Sequence, residues 1–319
     1  MPRWPNTSPP TISRWRGVNV RAFITGANGF VGRHLASYLT RSGDHVVGVD
    51  RECDVTSLPT VIAKLREDPP DVLYHLAAMT HVGDSWRQPE EFTRVNVLGT
   101  INVLKAAGLV APASTIVMVS SADVYGIVQE SDLPLGEERP PRPANPYAQS
   151  KVEAELQVRD AAGSSGHRVI IARPFNHVGP GQSVQFVIPA LVERLLTSLA
   201  EGANEIRVGD LTTRRDFSDV RDVVRAYRLL ARFAVTGEVY NVASGHDVAL
   251  ADVAEQLVNL IAPGTRLVLD PDLVRPVEVP VMRGDFTKLH ETTGWEPTID
   301  LVTSLRDVVA ERRRARSGG

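Results

Sequence analysis

One stretch near the start of the chain decides its fold: Phe23-Ile24-Thr25-Gly26-Ala27-Asn28-Gly29-Phe30-Val31-Gly32. The mostly apolar run 18–24 predicts a buried strand, and the amphipathic run 31–39 predicts a helix that ends at Gly43. The three glycines between these runs follow a Gly-x-x-Gly-x-x-Gly spacing. Because glycine has no side chain, such a turn lets a phosphate approach backbone N–H groups at the positive end of the helix. The stretch therefore predicts the pyrophosphate-binding turn of a dinucleotide site.

A carboxylate follows the second predicted strand. Residues 45–49 form that strand, and Asp50 comes 18 residues after Gly32. In a dinucleotide-binding sheet, a carboxylate at this place accepts hydrogen bonds from the adenosine ribose and repels the additional phosphate of NADP(H). The adjacent Arg51 offsets part of that repulsion. We therefore expect a preference for NAD(H), with NADP(H) tolerated.

Composition argues against several kinds of partner and site. The chain has 319 residues and a net charge of −3, so nothing favours nucleic acid or an anionic membrane as a partner. We see no signal peptide and no long apolar span, and the single cysteine, Cys53, cannot form an internal disulfide. These features predict a protein of the reducing cytoplasm. The histidines lack metal-ligand spacing, so we expect no metal site.

From residue 18 onward, strand patterns alternate with helix patterns. This alternation predicts an α/β fold with a doubly wound parallel sheet, covered by helices on both faces. Ligands of such sheets gather at the carboxyl ends of the strands. The predicted strands are 19–25, 45–49, 71–75, 115–120 and 168–173, and the predicted helices are 30–42, 56–67, 90–108 and 146–162.

Four segments carry further expectations. Residues 1–17 are rich in Pro, Ser, Thr and Arg without apolar periodicity, which predicts a mobile extension. Residues 264–298 are rich in Pro and charge, so they need support from another surface, such as a bound ligand. The helices 90–108 and 146–162 are expected to form a homodimer surface, since much of the first is apolar on more than one side.

Small and polar residues follow the second and third predicted strands. Asp54 and Val55 come just after the second strand, where they are placed to meet an adenine ring. Leu76, Ala77 and Ala78 end the third strand, and the small side chains of the two alanines let a cofactor lie against the backbone. We therefore expect both segments to line the dinucleotide site.

The strongest chemical signal is a tyrosine and a lysine four residues apart. Asn145 and Pro146 favour a helix start, so Tyr147 and Lys151 lie one turn apart on one helix face. An ammonium group near a phenol lowers the pKa of the phenol, which suits tyrosine to acid–base work near neutral pH. Ser121 ends the fourth predicted strand and is placed to hold the same substrate oxygen. We predict that the catalytic residues are Ser121, Tyr147 and Lys151.

These features together resemble the extended short-chain dehydrogenase/reductase family, the NAD-dependent epimerases and dehydratases that act on nucleotide sugars. The resemblance covers residues 18–310. It implies a Rossmann domain of residues 18–175 and about 213–243, and a smaller lobe of residues 176–212 and 244–314 that binds the nucleotide sugar. The resemblance is carried by Gly26, Gly29, Gly32, Asp50, His75-Leu76-Ala77-Ala78, Asn96, Ser121, Tyr147 and Lys151.

The same resemblance implies a role for each catalytic residue. In that family the tyrosine exchanges a proton with the C4 oxygen of the sugar, the lysine binds the nicotinamide ribose, and the serine assists. The nicotinamide exchanges a hydride with C4. The cofactor-binding residues expected here are Gly26, Asn28, Gly29, Phe30, Val31, Gly32, Asp50, Arg51, Asp54, Val55, Leu76, Ala77, Ala78, Asn96, Tyr147 and Lys151.

Motifs in the second half resemble GDP-4-keto-6-deoxy-D-mannose reductases more closely than GDP-mannose 4,6-dehydratases. They are Asp84-Ser85-Trp86, residues 175–183, Phe186-Val187, residues 208–211, residues 215–222 and residues 275–280. The resemblance places Asn176, Arg215 and Arg275 around the diphosphate and base of a GDP-sugar, where a guanidinium fork matches phosphate oxygens. The substrate-binding residues that we expect are Ser85, Asp123, Asn176, Phe186, Val187, Arg215, Arg275 and Glu278.

Four functions stay open on the sequence. The leading one is reduction at C4 of GDP-4-keto-6-deoxy-mannose to a GDP-6-deoxyhexose such as GDP-D-rhamnose. A nucleotide-sugar 4-epimerase with tightly held NAD⁺ is favoured by Asp50. A dehydratase is favoured by Asp123, which stands where dehydratases carry a longer Glu, although the shorter side chain suits elimination less well. A non-catalytic dinucleotide sensor is disfavoured because Ser121, Tyr147 and Lys151 are all present.

Overall fold

Parallel β-strands form the centre of the structure, a computed structural model whose described residues are 19–164, 167–274 and 279–317. The strands in chain order are β1 (Arg21–Thr25), β2 (His45–Val49), β3 (Val72–His75), β4 (Thr115–Val119), β5 (Arg168–Pro174), β6 (Asn176–Val178), β7 (Glu205–Val208), β8 (Arg214–Asp219), β9 (Val239–Val242), β10 (Asp247–Ala249), β11 (Arg266–Leu269) and β12 (Val281–Met282). One parallel sheet runs in the order β2-β1-β3-β4-β5-β9. The predicted extension 1–17 lies outside the described residues.

Helices cover both faces of this sheet. The α-helices of the described residues, in chain order, are α1 (Phe30–Arg41), α2 (Leu58–Glu67), α3 (Val82–Ser85), α4 (Pro89–Thr93), α5 (Gly99–Val110), α6 (Pro146–Ser164), α7 (Val187–Glu201), α8 (Val220–Phe233), α9 (Leu250–Ile261), α10 (Thr287–Thr293) and α11 (Leu301–Ser317). Apolar residues of α1 and α8 bury one face of the sheet, and those of α2, α5 and α6 bury the other. The predicted doubly wound α/β fold is confirmed.

The order of the strands creates a crevice at one edge of the sheet. β2 and β3 lie on opposite sides of β1, so the chain changes direction across the sheet after β2. At such a point the loops after neighbouring strands diverge and leave room for a ligand at the carboxyl ends. The glycine turn after β1 and the loop after β3 border this crevice.

The helix expected over residues 90–108 is present, but it is not a regular α-helix throughout. α4 passes directly into a π-helical turn, Arg94–Leu98, which continues into α5. A π-helical turn inserts an extra residue and re-aims the side chains that it carries, and it often marks a functional region. Here the turn carries Asn96, whose side chain is buried.

A second apolar core lies apart from the main sheet. Residues of α7, α9 and α11 form it together with β7 and β11, which pair with each other. A small sheet of β6, β8, β10 and β12 lies beside it. The small sheet was not predicted from the sequence, because its strands are short or polar.

The Pro- and charge-rich segment 264–298 gains its support from the protein itself. Trp295 is fully buried, and its indole N–H donates to the Asp222 carbonyl at 3.0 Å. The backbone N–H groups of Thr298 and Ile299 each donate to the Asp222 carboxylate at 2.8 Å. The end of this segment therefore docks onto α8, whereas residues 275–278 lie outside the described residues. Support of the rest by a bound ligand stays a prediction.

Candidate active site

The glycine turn is shaped by close packing of backbone on backbone. Gly26 has φ +73°, and a Cβ there would lie 2.9 Å from the backbone nitrogen of Ala77. A Cβ on Gly32 would lie 2.7 Å from the Ala27 carbonyl oxygen and would collide with that of Gly26. α1 then begins without a side-chain cap, which leaves its first N–H groups to a ligand. The cradle therefore fits a pyrophosphate.

Asp50 supports this turn directly. Its Oδ2 accepts a hydrogen bond from the backbone N–H of Asn28 at 2.9 Å, so the carboxylate lies against the glycine turn as predicted for a ribose-binding residue. Arg51 and Asp54 are exposed beside it. Oδ1 of Asp54 accepts two hydrogen bonds from Thr56, while the Val55 side chain is buried in the core.

A histidine joins the glycine turn to the loop after β3. His75 Nδ1 lies 2.8 Å from the Thr25 hydroxyl, and its Nε2 lies 3.1 Å from the Thr100 hydroxyl. The Thr25 hydroxyl accepts from the backbone N–H of Ala77. Leu76, Ala77 and Ala78, partly exposed, follow the strand at the crevice.

Asn96 holds the next part of this loop. Its Oδ1 accepts from the backbone N–H of Met79 at 2.8 Å, and its Nδ2 donates to the Met79 carbonyl at 3.0 Å and to the Ser150 hydroxyl at 2.9 Å. These bonds use the polar atoms of its side chain. Asn96 therefore positions the loop against α6, and the contact with a cofactor expected of it remains a prediction.

The predicted catalytic side chains meet at the start of α6. The Asn145 side chain accepts from the backbone N–H of Ala148 at 2.8 Å, which makes it the expected helix cap. Tyr147 is 7% exposed, and the Ser121 side chain is close enough to favour its ionised form. One turn later, Lys151 is 6% exposed and its Nζ donates to the Val119 carbonyl at 2.8 Å.

The electrostatics of this pair correct one expectation. Burial, together with the nearby Asp123 carboxylate, raises the pKa of Tyr147 above its usual value, although the Ser121 hydrogen bond opposes the rise. Burial lowers the pKa of Lys151 to about 8, and the Glu155 carboxylate opposes that fall. The lysine was expected to lower the pKa of the tyrosine. Instead its ammonium group binds a carbonyl, and desolvation of the phenol dominates.

The expected substrate residues are only partly brought together. Asn176 is exposed on β6, which lies parallel to β8, where Arg215 is half-buried. Phe186 and Val187, also half-buried, begin α7. Ser85 is fully buried, and its hydroxyl donates to the Val82 carbonyl at 2.7 Å, so it is closed to a ligand in this structure. Arg275 and Glu278 lie outside the described residues.

Contacts between α1 and the loop after β6 were missed in the sequence. The Phe30 ring stacks on His177 with centroids 6.0 Å apart. His34 Nε2 lies 2.8 Å from the Pro180 carbonyl oxygen, and Arg33 donates to the Gly181 carbonyl at 3.0 Å. These contacts span about half of the chain and leave no local signal. They join the dinucleotide helix to the strand that carries Asn176.

The described part of the chain holds neither a metal-binding cluster nor a membrane-spanning helix. Among those residues, no group of three or more His, Cys, Asp or Glu side chains is placed to hold a metal ion. Of the helices described, none is long and apolar enough to cross a membrane.

Two features define the class of protein. The parallel sheet has a glycine turn after its first strand, and a helix with the Tyr-x-x-x-Lys pattern lies beside a serine. Together they define a dinucleotide-dependent dehydrogenase that uses a tyrosine and a lysine. The chain belongs to the NAD dependent epimerase/dehydratase family, whose model matches residues 22–243.

Relatives within this family span nearly the whole chain. It is 39% identical over 295 residues to a GDP-6-deoxy-D-mannose reductase of Pseudomonas aeruginosa, covering 91% of this chain and 96% of the relative. It is 29% identical over 302 residues to a GDP-6-deoxy-D-talose 4-dehydrogenase of Aggregatibacter actinomycetemcomitans, covering 93% of this chain and 98% of the relative. The solved structure of RMD from Pseudomonas aeruginosa complexed with NADPH superposes with a TM-score of 0.85 at 38% identity, covering 92% of this chain and 98% of that one.

Proposed function

We propose that the chain is a nucleotide-sugar reductase that transfers a hydride from NAD(P)H to C4 of a GDP-4-keto-6-deoxyhexose. The product is a GDP-6-deoxyhexose such as GDP-D-rhamnose. One observation carries the proposal: Tyr147, buried and close to Ser121, lies one turn from Lys151 at the edge of a sheet whose glycine turn fits a dinucleotide. The 39% identity to a GDP-6-deoxy-D-mannose reductase supports the substrate class.

The chemistry of the tyrosine suits the reductive direction. Reduction of a ketone creates an alkoxide that needs a proton, and a phenol with a raised pKa keeps its proton at neutral pH. Tyr147 therefore donates that proton to the C4 oxygen. Ser121 holds the same oxygen by a hydrogen bond. Lys151, one turn further along α6, would hold the nicotinamide ribose, as the family resemblance implies.

We place the cofactor and the nucleotide sugar on different sides of the catalytic side chains Ser121, Tyr147 and Lys151. The dinucleotide, which supplies the hydride when bound, would be held by the glycine turn, Asp50 and the loop 76–78. The nucleotide sugar would lie in a lobe of residues 176–212 and 244–314, which contains the second apolar core. Asn176 and Arg215 are the described polar side chains placed to receive its diphosphate.

One assay tests the proposal against its alternatives. The purified chain should oxidise NADH or NADPH with GDP-4-keto-6-deoxy-mannose and form a GDP-6-deoxyhexose. The carboxylate of Asp123 near Tyr147 favours one second candidate, a GDP-mannose 4,6-dehydratase. That enzyme would form the 4-keto sugar from GDP-mannose without added reductant. A 4-epimerase would carry NAD⁺ through purification, and a sensor would turn over none of these substrates.

Asp50→Asn is expected to raise the preference for NADPH over NADH by about tenfold in kcat/KM. The asparagine oxygen still accepts from Asn28 N–H, so the glycine turn keeps its support while the charge that repels a 2′-phosphate is gone. Steady-state kinetics with both cofactors measure the ratio. Glu90→Gln, an exposed neutralisation on α4, is the control and should leave the ratio unchanged. An unchanged ratio in Asp50→Asn would contradict the role given to this carboxylate.

We also propose that two copies associate through the helices 90–108 and 146–162 and act in the cytoplasm. Leu98 is 41% exposed and Leu156 is 54% exposed on neighbouring helices, which leaves an apolar surface to cover. Leu98→Glu combined with Leu156→Glu should reduce the mass in sedimentation equilibrium from two chains to one. Leu199→Glu on α7, where the leucine is 52% exposed, is the control and should stay dimeric. A wild-type chain that sediments as a monomer would contradict the proposal.

A further inference from the structure

A buried glutamate continues the row of catalytic residues on α6. Tyr147, Lys151 and Glu155 follow one another at four-residue intervals, so they share one face of the helix. Glu155 is 2% exposed. The proposed reduction gives this carboxylate no proton to carry and no ligand to bind. A charge buried this deeply is costly unless it is paired, so its presence needs a reason.

The partners of Glu155 tie it to the serine side of the site. Its two oxygens accept from Arg173 Nε at 2.8 Å and from Arg173 Nη2 at 2.6 Å, a bidentate pair with a fully buried arginine on β5. Its Oε1 also accepts from the Ser120 hydroxyl at 2.6 Å. Ser120 directly precedes Ser121, so the carboxylate fixes the backbone on which the catalytic serine stands.

The second charged neighbour of Glu155 is Lys151, which lies one helix turn before it on α6. Among the groups that act on Lys151, the Glu155 carboxylate is the anion that favours its charged form. His75 on β3 also lies near the lysine, but burial lowers the pKa of His75 to about 3, so it is uncharged at neutral pH. Tyr147 on the same helix keeps its proton because its pKa is raised. The Asp123 carboxylate raises the pKa of Tyr147, and Arg173 on β5 forms an ion pair with the Glu155 carboxylate.

We propose that Glu155 is a positioning residue of the reaction, which keeps Lys151 protonated and holds the Ser120–Ser121 backbone in place. The inference rests on the proposed reductase function. Arg173 has a supporting part, because its bidentate pair keeps the carboxylate ionised in a buried place. The arrangement thus couples the charge of the lysine to the placement of the serine through a single carboxylate.

The titration of Lys151 tests the charge effect without turnover. The chain contains only four lysines, Lys64, Lys105, Lys151 and Lys288, so ¹³C-lysine NMR resolves them, and Lys151→Arg assigns the signal. In the wild type we expect Lys151 to titrate near pH 8. In Glu155→Gln it should titrate at least about one pH unit lower, and the alkaline limb of the kcat profile should move with it. At pH 8 this reduces the protonated fraction by about fivefold.

Two further variants separate charge from structure. The double variant Glu155→Gln with Arg173→Met removes both buried charges and replaces the single variant if that variant does not fold. It should also lower the pH at which Lys151 titrates. Glu155→Asp keeps the charge on a shorter arm, so the titration should stay near that of the wild type while kcat falls through a looser Ser120 contact. Unchanged titration of Lys151 in both neutral variants would overturn the inference. Shifted titration in a chain that reduces no GDP-4-keto sugar would overturn the proposed function alone.

Discussion

Tyr147→Phe is expected to lower kcat by about 10²–10⁴-fold, the range over which a positioned acid contributes to a reaction. The phenol is the group that delivers a proton to the C4 oxygen. Ser121 holds that oxygen but is a much weaker acid than a phenol, and the Lys151 ammonium group is bonded to the Val119 carbonyl. Phenylalanine keeps the ring, which packs edge-on against Phe92 with centroids 6.2 Å apart, so the fold should be retained. Steady-state kinetics with the keto sugar give kcat, and fluorescence titration with NADPH gives cofactor binding, which should change little.

Tyr74→Phe is the matched control for this change. Tyr74 is as buried as Tyr147, but its phenol faces Asp44 and Arg228 on the far side of the sheet. The same loss of a hydroxyl should therefore leave kcat unchanged there. Activity retained in Tyr147→Phe would remove the tyrosine from the mechanism. Loss of activity in both variants would mean that disturbed packing of the sheet, and not loss of the proton donor, lowers kcat.

The central sheet could be predicted from the sequence because local patterns determine its strands. Strands β1 to β5 are short apolar runs bounded by turns, and the glycine turn and the capped start of α6 are local motifs. The small sheet of β6, β8, β10 and β12 could not be predicted in this way. β8 has the sequence Arg-Arg-Asp-Phe-Ser-Asp, and its Asp216 is fully buried. That carboxylate is satisfied by N–H groups of Ser244, Gly245 and Gly284, all distant in the chain.

The acid–base properties of the site also depend on residues that are distant in the chain, so the sequence predicted them only in part. The spacing of Tyr147 and Lys151 was correctly placed on one helix face, but the direction of the pKa shift of the tyrosine was not. Spacing reports which groups are neighbours, whereas a pKa depends on burial by the rest of the fold. Glu155 was missed for a related reason: its partner Arg173 lies on another element, and a lone glutamate on a helix normally faces solvent.

Gly32→Ala is expected to abolish measurable dinucleotide binding, with a loss of affinity of at least about 100-fold. The added Cβ meets the carbonyl oxygens of Gly26 and Ala27, which are backbone atoms of the turn itself and have no flexible end to move aside. The turn must therefore shift away from the position in which its N–H groups face a pyrophosphate. Forced packing of this kind also lowers the free energy of unfolding by about 2 kcal/mol. Titration with NADPH and urea denaturation measure the two effects.

Gly202→Ala separates loss of binding from loss of stability. Gly202 ends α7 with φ +68°, and a Cβ there meets nothing within 4 Å. The alanine strains the backbone and should cost about 1 kcal/mol of unfolding free energy, yet it lies far from the glycine turn and should leave NADPH affinity unchanged. If Gly32→Ala bound NADPH as tightly as Gly202→Ala, the close contact between Gly32 and the turn would not be what shapes the phosphate cradle.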